Sequence, residues 1–335
     1  MLGFTMIQPG GMKAARDTRL EALRHAGAWL NSLPLTEADL RGKVVLVEFW
    51  TYTCINWLRQ FPYVRAWVEK YSQHGLVVIG VHTPEFAFEK DLDNVRQAAT
   101  QLRVEYPIGT DNHYAIWRAF GNRYWPARYL FDAQGRIRHR HFGEGAYDQS
   151  ERMIQRLLRR AGARSLGAET VRVDAHGIEA AADWDNLASP ETYLGSARAE
   201  RFVSTRGRAT ATGHLYAVPS RLQLNEWALE GDWTVGRQAV VTNAPGGRII
   251  HRFHARDLHL VLAPKAEGIP GRYRVRIDGR PPGSANGVDV GADGNGVVTE
   301  PRLYQLIRQP RQIVDRQFDI EFLDQGVQAL AFTFG

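Results

Sequence analysis

The chain has 335 residues, 44% of them hydrophobic and 23% charged, close to the averages of globular proteins. That length accommodates two medium-sized domains and the composition excludes a disordered chain, while the lack of any run of about 18 apolar residues leaves no segment expected to span a bilayer. The net charge of +6 comes from Arg scattered along the whole chain, with five Lys among 42 basic residues, so it reads as a solvated surface and not as a nucleic-acid footprint.

Residues 1–25 read as a loose polar lead-in, and Met1 to Arg24 lacks the apolar core of a secretory signal. Residues 28–35 predict a short hairpin or strand pair. Lys43 to Trp50 is a nearly unbroken apolar run, as in a central strand buried on both faces. Leu58, Phe61, Val64, Trp67, Val68 and Tyr71 recur at helical spacing, with Pro62 expected to kink the helix and Gly75 to close it. A second buried strand follows over Leu76–Val81, then a helical stretch from Phe86 to Leu102. A short strand near Tyr106–Gly109 and a helix over Asn112–Phe120 come next. Ala127–Phe131 and Arg136–Phe142 flank the turn Asp132-Ala-Gln-Gly135 and predict a hairpin. Tyr147–Ala161 closes this half as an amphipathic helix. The layout is α/β, with a mixed sheet, over residues 26–162.

Residues 163–189 are rich in Ala, Gly and Asp and predict a linker. Beyond it, over 190–335, apolar residues alternate with period two, as in Leu258-Leu260-Leu262, Tyr273-Val275-Ile277 and Phe318-Ile320-Phe322. Gly- and Pro-rich turns separate these runs, which predicts an antiparallel β-sandwich.

Cys54 is the single cysteine, so no intramolecular disulfide forms. A lone cysteine is ordinarily a buried hydrophobe. This one follows a buried strand and opens a helix, through Thr51-Tyr-Thr-Cys-Ile-Asn-Trp57. Unpaired N–H groups and the positive end of the macrodipole favour a thiolate there, and the thiolate is the nucleophile.

Four segments carry a resemblance. They are Gly42-Lys-Val-Val-Leu-Val-Glu-Phe-Trp-Thr-Tyr-Thr-Cys-Ile-Asn56, Gly80-Val-His-Thr-Pro-Glu-Phe86, Tyr114-Ala-Ile-Trp-Arg-Ala-Phe-Gly-Asn-Arg-Tyr-Trp-Pro126 and His141-Phe-Gly-Glu-Gly145. In order and spacing, residues 28–158 resemble the thioredoxin-like (redoxin) domain of TlpA/DipZ-type thiol–disulfide oxidoreductases. The β-rich remainder resembles the carbohydrate-binding-module-like, jelly-roll sandwich of DipZ-type proteins. The resemblance implies a thioredoxin fold with Cys54 as the attacking cysteine, Glu48 as the buried proton relay and Pro126 as a cis-proline that pairs with an extended substrate. Thr51, Tyr52, Thr53, Asn56, Trp57 and Trp125 would line the site.

One departure stands out. Where the family has its second, resolving cysteine, this chain has Trp57. Three readings follow: a monothiol protein resolved by an outside thiol, a one-cysteine peroxidase, or a redox-inactive scaffold used for binding. Thr51, three residues before Cys54, supports the peroxidase, but Val47 stands where that motif has proline. The resemblance further implies no bound cofactor, protein thiols or disulfides as partners, and a membrane electron donor of the CcdA/DipZ type. It also implies an extracytoplasmic location, periplasmic or membrane-tethered.

Other residues invite weaker readings. His82 with Glu85, the pair His139 and His141, and His251, His254 and His259 fit ordinary hydrogen bonding better than metal ligation. Asp289–Glu300 loosely resembles a calcium loop without its ligand spacing. Tyr193, Trp227, Trp233 and Tyr304 form either a sugar-stacking platform for a glycan ligand or, more simply, sandwich core.

Overall fold

The computed structural model describes residues 18–205, 213–310 and 312–335. The first half is built on strands β1 (Trp29–Leu30), β2 (Val44–Trp50), β3 (Leu76–His82), β4 (Ile108–Thr110), β5 (Ala127–Phe131) and β6 (Ile137–Phe142). They lie in the order β1-β4-β3-β2-β5-β6, with β2, β3 and β4 parallel to one another and the remaining pairs antiparallel. Helices α1 (Ile55–Tyr71), α2 (Leu92–Leu102), α3 (Ala115–Phe120) and α4 (Tyr147–Arg160) complete it. Every residue of β2 is buried, because helices cover both faces of a strand with parallel and antiparallel neighbours. Pro62 sits inside α1 without ending it.

Several elements differ from expectation, each for a local reason. The pair expected over 28–35 reduces to β1, which finds its partner in the distant β4. The helical stretch over 86–102 breaks at Asp91, whose side chain caps Asp93 N, leaving a 3-10 turn over Ala87–Lys90 before α2. The helix expected from Asn112 begins at Ala115, since Asp111 accepts from Ile116 N at 3.0 Å and Trp117 N at 2.8 Å. Most of the lead-in, residues 1–17, lies outside the described residues. Its end is not loose: Arg19–His25 is a 3-10 helix that buries Leu20, Ala22 and Leu23. The linker stretch is tied down as well, through Val171 N donating to Glu151 at 2.9 Å and an Arg65–Glu179 pair at 2.6 Å.

The second half holds strands β7 (Thr192–Tyr193), β8 (His214–Tyr216), β9 (Trp227–Val235), β10 (Val240–Thr242), β11 (Gly247–Phe253), β12 (Asp257–Ala263), β13 (Gly271–Ile277), β14 (Asn295–Val298), β15 (Arg302–Arg308), β16 (Arg316–Phe322) and β17 (Gln328–Phe334). They join as β14-β13-β16-β11-β9-β10-β17-β12-β15, with β7 on β17 and β8 on β9. Strand β9 serves both layers. Trp227–Glu230 pairs with β11 and Trp233–Val235 with β10, and the turn between them is Gly231 at φ 93°. A side chain there would meet the left-handed penalty and press on Gly247.

The alternation in β12 is real, yet every residue of it is buried. Leu258, Leu260 and Leu262 face the sandwich core, while Val261 and Ala263 join a core with α1, Leu303, Leu330 and Ala331. The second layer of the sandwich thus packs against the first domain. Arg59 on α1 lies in this junction, 3% exposed, donating to Phe334 O and to Glu144 at 3.3 Å each.

A candidate redox site around Cys54

Cys54 is the N-cap of α1, half-buried, at the end of the sheet where β2 and β3 finish. Thr83 N donates to Trp50 O at 3.0 Å, and Trp125 Nε1 donates to Thr83 O at 3.0 Å. The loop before Pro126 therefore sits at the same end of the sheet as the cysteine turn. The Trp125–Pro126 bond is cis. Trp125 is half-exposed, and Asn56 is also partly open.

The electrostatics reverse the expectation of a favoured thiolate. Burial pushes the Cys54 thiol well above its ordinary value, and Glu85 and then Glu191 push in the same direction. The backbone N–H groups of Trp57 and Asn56 act against this but lose. A helix N-terminus contributes a fraction of a charge, which cannot offset desolvation beside two carboxylates. The resting group is a thiol.

Glu48 is fully buried, as expected, with its carboxyl raised by burial. Its oxygens are already engaged. Gln60 Nε2 donates to Oε2 at 2.8 Å, Trp57 Nε1 donates to Oε1 at 3.4 Å, and Tyr106 O–H also donates to Oε1. Trp57 is 0% exposed, stacked on Trp50 at 4.3 Å and on Phe61 at 5.0 Å between ring centroids. An indole N–H does not give up its proton at physiological pH. Glu48 thus accepts from Trp57, Gln60 and Tyr106, and the residue at position 57 is not a thiol.

The sequence did not reveal Glu89, nor that Glu85 and Tyr193, singled out separately, would meet Arg198 and Glu191 in one cluster. Glu89 is 0% exposed and accepts from Thr53 Oγ1 at 2.5 Å and Phe86 N at 2.9 Å, with Glu85 N as a third donor. Burial raises its carboxyl to about 7, against the pull of these donors. It braces the turn Thr51-Tyr52-Thr53, whose residues are all buried. Only the acidic half of a capping box is present, since Phe86 has no side-chain acceptor, so the sequence carried no signature for it. The cluster reaches into the second domain. Tyr193 Oη lies 2.5 Å from Glu85 Oε1 and 2.8 Å from Glu191 Oε2. Arg198 Nη1 donates to Glu85 Oε1 at 2.8 Å, and its guanidinium lies 3.2 Å from the Tyr193 ring centre. No local pattern reports a contact across 108 residues.

The remaining candidates assemble no ligand set, although both ring nitrogens of His82 and of His251 are buried without a hydrogen-bond partner, against the expectation of ordinary hydrogen bonding. His82 is fully buried between Trp50 and Tyr52 and held neutral, its pKa lowered to about 3 by burial. His139 faces Ser150 Oγ at 3.3 Å and His141 faces Glu144 O at 3.1 Å. Among the described residues no three potential ligands gather into a metal site. Asp289 spends its carboxylate on Arg302 and Gln305 N. Trp227, Trp233 and Tyr304 are buried at 1%, 0% and 0%, and Tyr193 faces Glu85, so the four do not make an open sugar platform. Among the described residues no helix is long and apolar enough to cross a membrane.

Residues 23–140 match the AhpC/TSA family, and residues 189–335 match the family described as the thioredoxin like C-terminal domain. Protein DipZ of Mycobacterium tuberculosis and of Mycobacterium bovis is 38% identical over 319 residues, which is 93% of this chain and 42% of DipZ. The chain therefore spans less than half the length of those relatives. Thiol-disulfide oxidoreductase YkuV of Bacillus subtilis is 32% identical over 131 residues, covering 39% of this chain and 88% of YkuV. Among solved structures, a thioredoxin-like protein in the oxidized form aligns at 32% identity over 40% of this chain and 90% of its own, with a TM-score of 0.37.

Proposed function

The chain belongs to the thioredoxin-like family of thiol–disulfide oxidoreductases, and on that premise we propose that it is a monothiol member that captures partners at Cys54 and releases them only with an external thiol. The sulfur of Cys54 attacks one sulfur of a partner disulfide, the other partner sulfur leaves as a thiolate, and a mixed disulfide remains. An external thiol then attacks that mixed disulfide and restores Cys54. The observation that carries this reading is Trp57, buried in the resolving position with its N–H on Glu48. A partner chain would lie extended along Trp125 and Pro126, with protein thiols or disulfides as its reacting groups. An external thiol or a membrane electron donor of the CcdA/DipZ type, in an extracytoplasmic compartment, would complete the cycle. Residues 190–335 would serve as a covering and docking domain.

The raised thiol of Cys54 makes this a slow nucleophile at neutral pH, and a poor leaving group once the adduct has formed. The same property favours a second reading, a redox-inactive scaffold that binds through the same surface. It does not separate capture from a peroxidase, since both attacks need the thiolate; against the peroxidase stands Val47 in place of that motif's proline.

Mass spectrometry of protein isolated without reductant tests the proposal. A Cys54 mixed disulfide, together with no turnover in an insulin reduction assay, supports capture. A free Cys54 that also refuses a model peptide disulfide at pH 9 moves the protein to the scaffold reading.

A further inference from the structure

Glu89 reaches no solvent, and its carboxyl ties together two stretches of chain that meet at the candidate site. Thr53 Oγ1 donates to Oε1 at 2.5 Å, from the residue directly before Cys54. Glu85 N and Phe86 N donate to Oε2, the second at 2.9 Å, from the loop that follows β3. The same loop anchors the partner-pairing side, since Trp125 Nε1 donates to Thr83 O at 3.0 Å and Pro126 comes next. Thr83 N closes the circuit by donating to Trp50 O, where the cysteine turn begins, and Cys54 N donates within that turn to Thr51 O at 3.2 Å. A buried carboxyl is costly unless its hydrogen bonds are made, so the two stretches are held at the spacing that makes them.

We propose that Glu89 is a positioning residue for Cys54: it fixes the cysteine turn against the loop that anchors Trp125, and so sets the spacing between the sulfur and a partner chain lying along Trp125 and Pro126. The inference rests on the capture reading, because it concerns attack on a partner disulfide. In that attack Cys54 gives its proton to solvent, its sulfur bonds to the near sulfur of the partner, and the far sulfur leaves as a thiolate with the bonding pair. A misplacement of about 1 Å in a step of this kind costs on the order of a hundredfold in rate. A small alkylating reagent needs the sulfur alone and is indifferent to that spacing. Three substitutions separate the ties. In Glu89→Gln the side-chain oxygen accepts from Glu85 N and Phe86 N while the amide donates to Thr53 Oγ1, so the clamp survives. Glu89→Ala removes every tie, and Thr53→Val removes the one on the cysteine side.

The test compares two second-order rates in the full chain at pH 9. One is alkylation of Cys54 by iodoacetamide; the other is release of thionitrobenzoate from its mixed disulfide with a short, extended cysteine peptide. In Glu89→Ala and Thr53→Val the peptide rate relative to the alkylation rate should fall about tenfold or more, and in Glu89→Gln it should stay within about threefold of native. Equal ratios in the native protein and in the Ala and Val variants overturn the proposal and leave Glu89 as a brace for stability alone. A Gln variant that falls as far as the Ala variant overturns it too, because the ties then do not account for the effect. Urea midpoints show which variants are folded, and where Glu89→Ala is not, Thr53→Val decides. A native protein that is alkylated but releases no thionitrobenzoate ends the capture reading and this inference together. Release by the native protein at a ratio that no variant changes ends this inference and leaves capture standing.

Discussion

Replacing Glu89 by Gln should stabilise the protein at alkaline pH and leave it nearly unchanged in acid. Glu89 is 0% exposed, and its folded carboxyl is raised from 4.5 to about 7. An acid whose folded value lies above its unfolded value binds more protons when folded, so stability is greatest below pH 4.5 and falls as pH rises towards 7. At about 1.4 kcal/mol for each pH unit between the two values, the loss is about 3 kcal/mol, fully developed above pH 7. The amide that replaces the carboxyl has no such proton to lose and escapes it. Urea unfolding of both proteins at pH 4.5, 6 and 8 measures this, and the difference between them cancels other groups such as Glu48. The gap should move in favour of the variant by about 3 kcal/mol across that range, a large share of a typical domain's stability. A gap that stays within about 0.5 kcal/mol, or that moves towards the native protein as pH rises, refutes the assignment of Glu89 as a buried acid held above its ordinary range.

Trp57→Cys should convert a protein without insulin reductase turnover into one with it, because position 57 faces Glu48 in the first turn of α1; a folded variant with no turnover would show that 57 is not a resolving position. The same change removes a ring stacked between Trp50 and Phe61 and should cost about 3–5 kcal/mol in urea unfolding. Gly80→Ala sets a methyl 2.7 Å from Trp50 Nε1 and 3.0 Å from the Tyr106 ring, so a loss of about 1–3 kcal/mol is expected, and a neutral result would mean that the Glu48 pocket has slack. Arg59→Ala strands Glu144, whose side chain is 9% exposed, and should cost about 3–5 kcal/mol by thermal unfolding; Arg59→Ala with Glu144→Gln should recover part of that loss.

Much of the architecture was legible because it follows from short-range pattern. The apolar run Val44–Trp50 could only be a buried strand, and the period-two runs of the second half became β12, β13 and β16. The positions of Cys54 at a helix start and Glu48 in a buried strand were likewise readable from local order, whereas the cis bond before Pro126 was expected only through the resemblance. The charge state of the cysteine was not. It depends first on burial, then on Glu85, beyond β3, and on Glu191, from another domain, and neither carboxylate lies near residue 54 in the sequence. The fate of Glu48 was hidden for a related reason. A Trp in the resolving position reads as bulk, and only packing reveals that its N–H is turned inward onto the acid. The aromatic residues of the sandwich were ambiguous because a ring alternating on a strand fits a core or a platform equally well; burial alone decides, and it decides for the core.

The core that joins α1 with residues of β12, β15 and β17 has a mechanical consequence. A helix bedded on its own sheet alone is free to rock when a partner presses on its first turn. Here the far side of that helix is set in the strands of the neighbouring domain, with Arg59 pinned to the carbonyl of Phe334. Strain applied at the sulfur is carried into the sandwich as a whole, so the two halves should yield to heat in one event and not two.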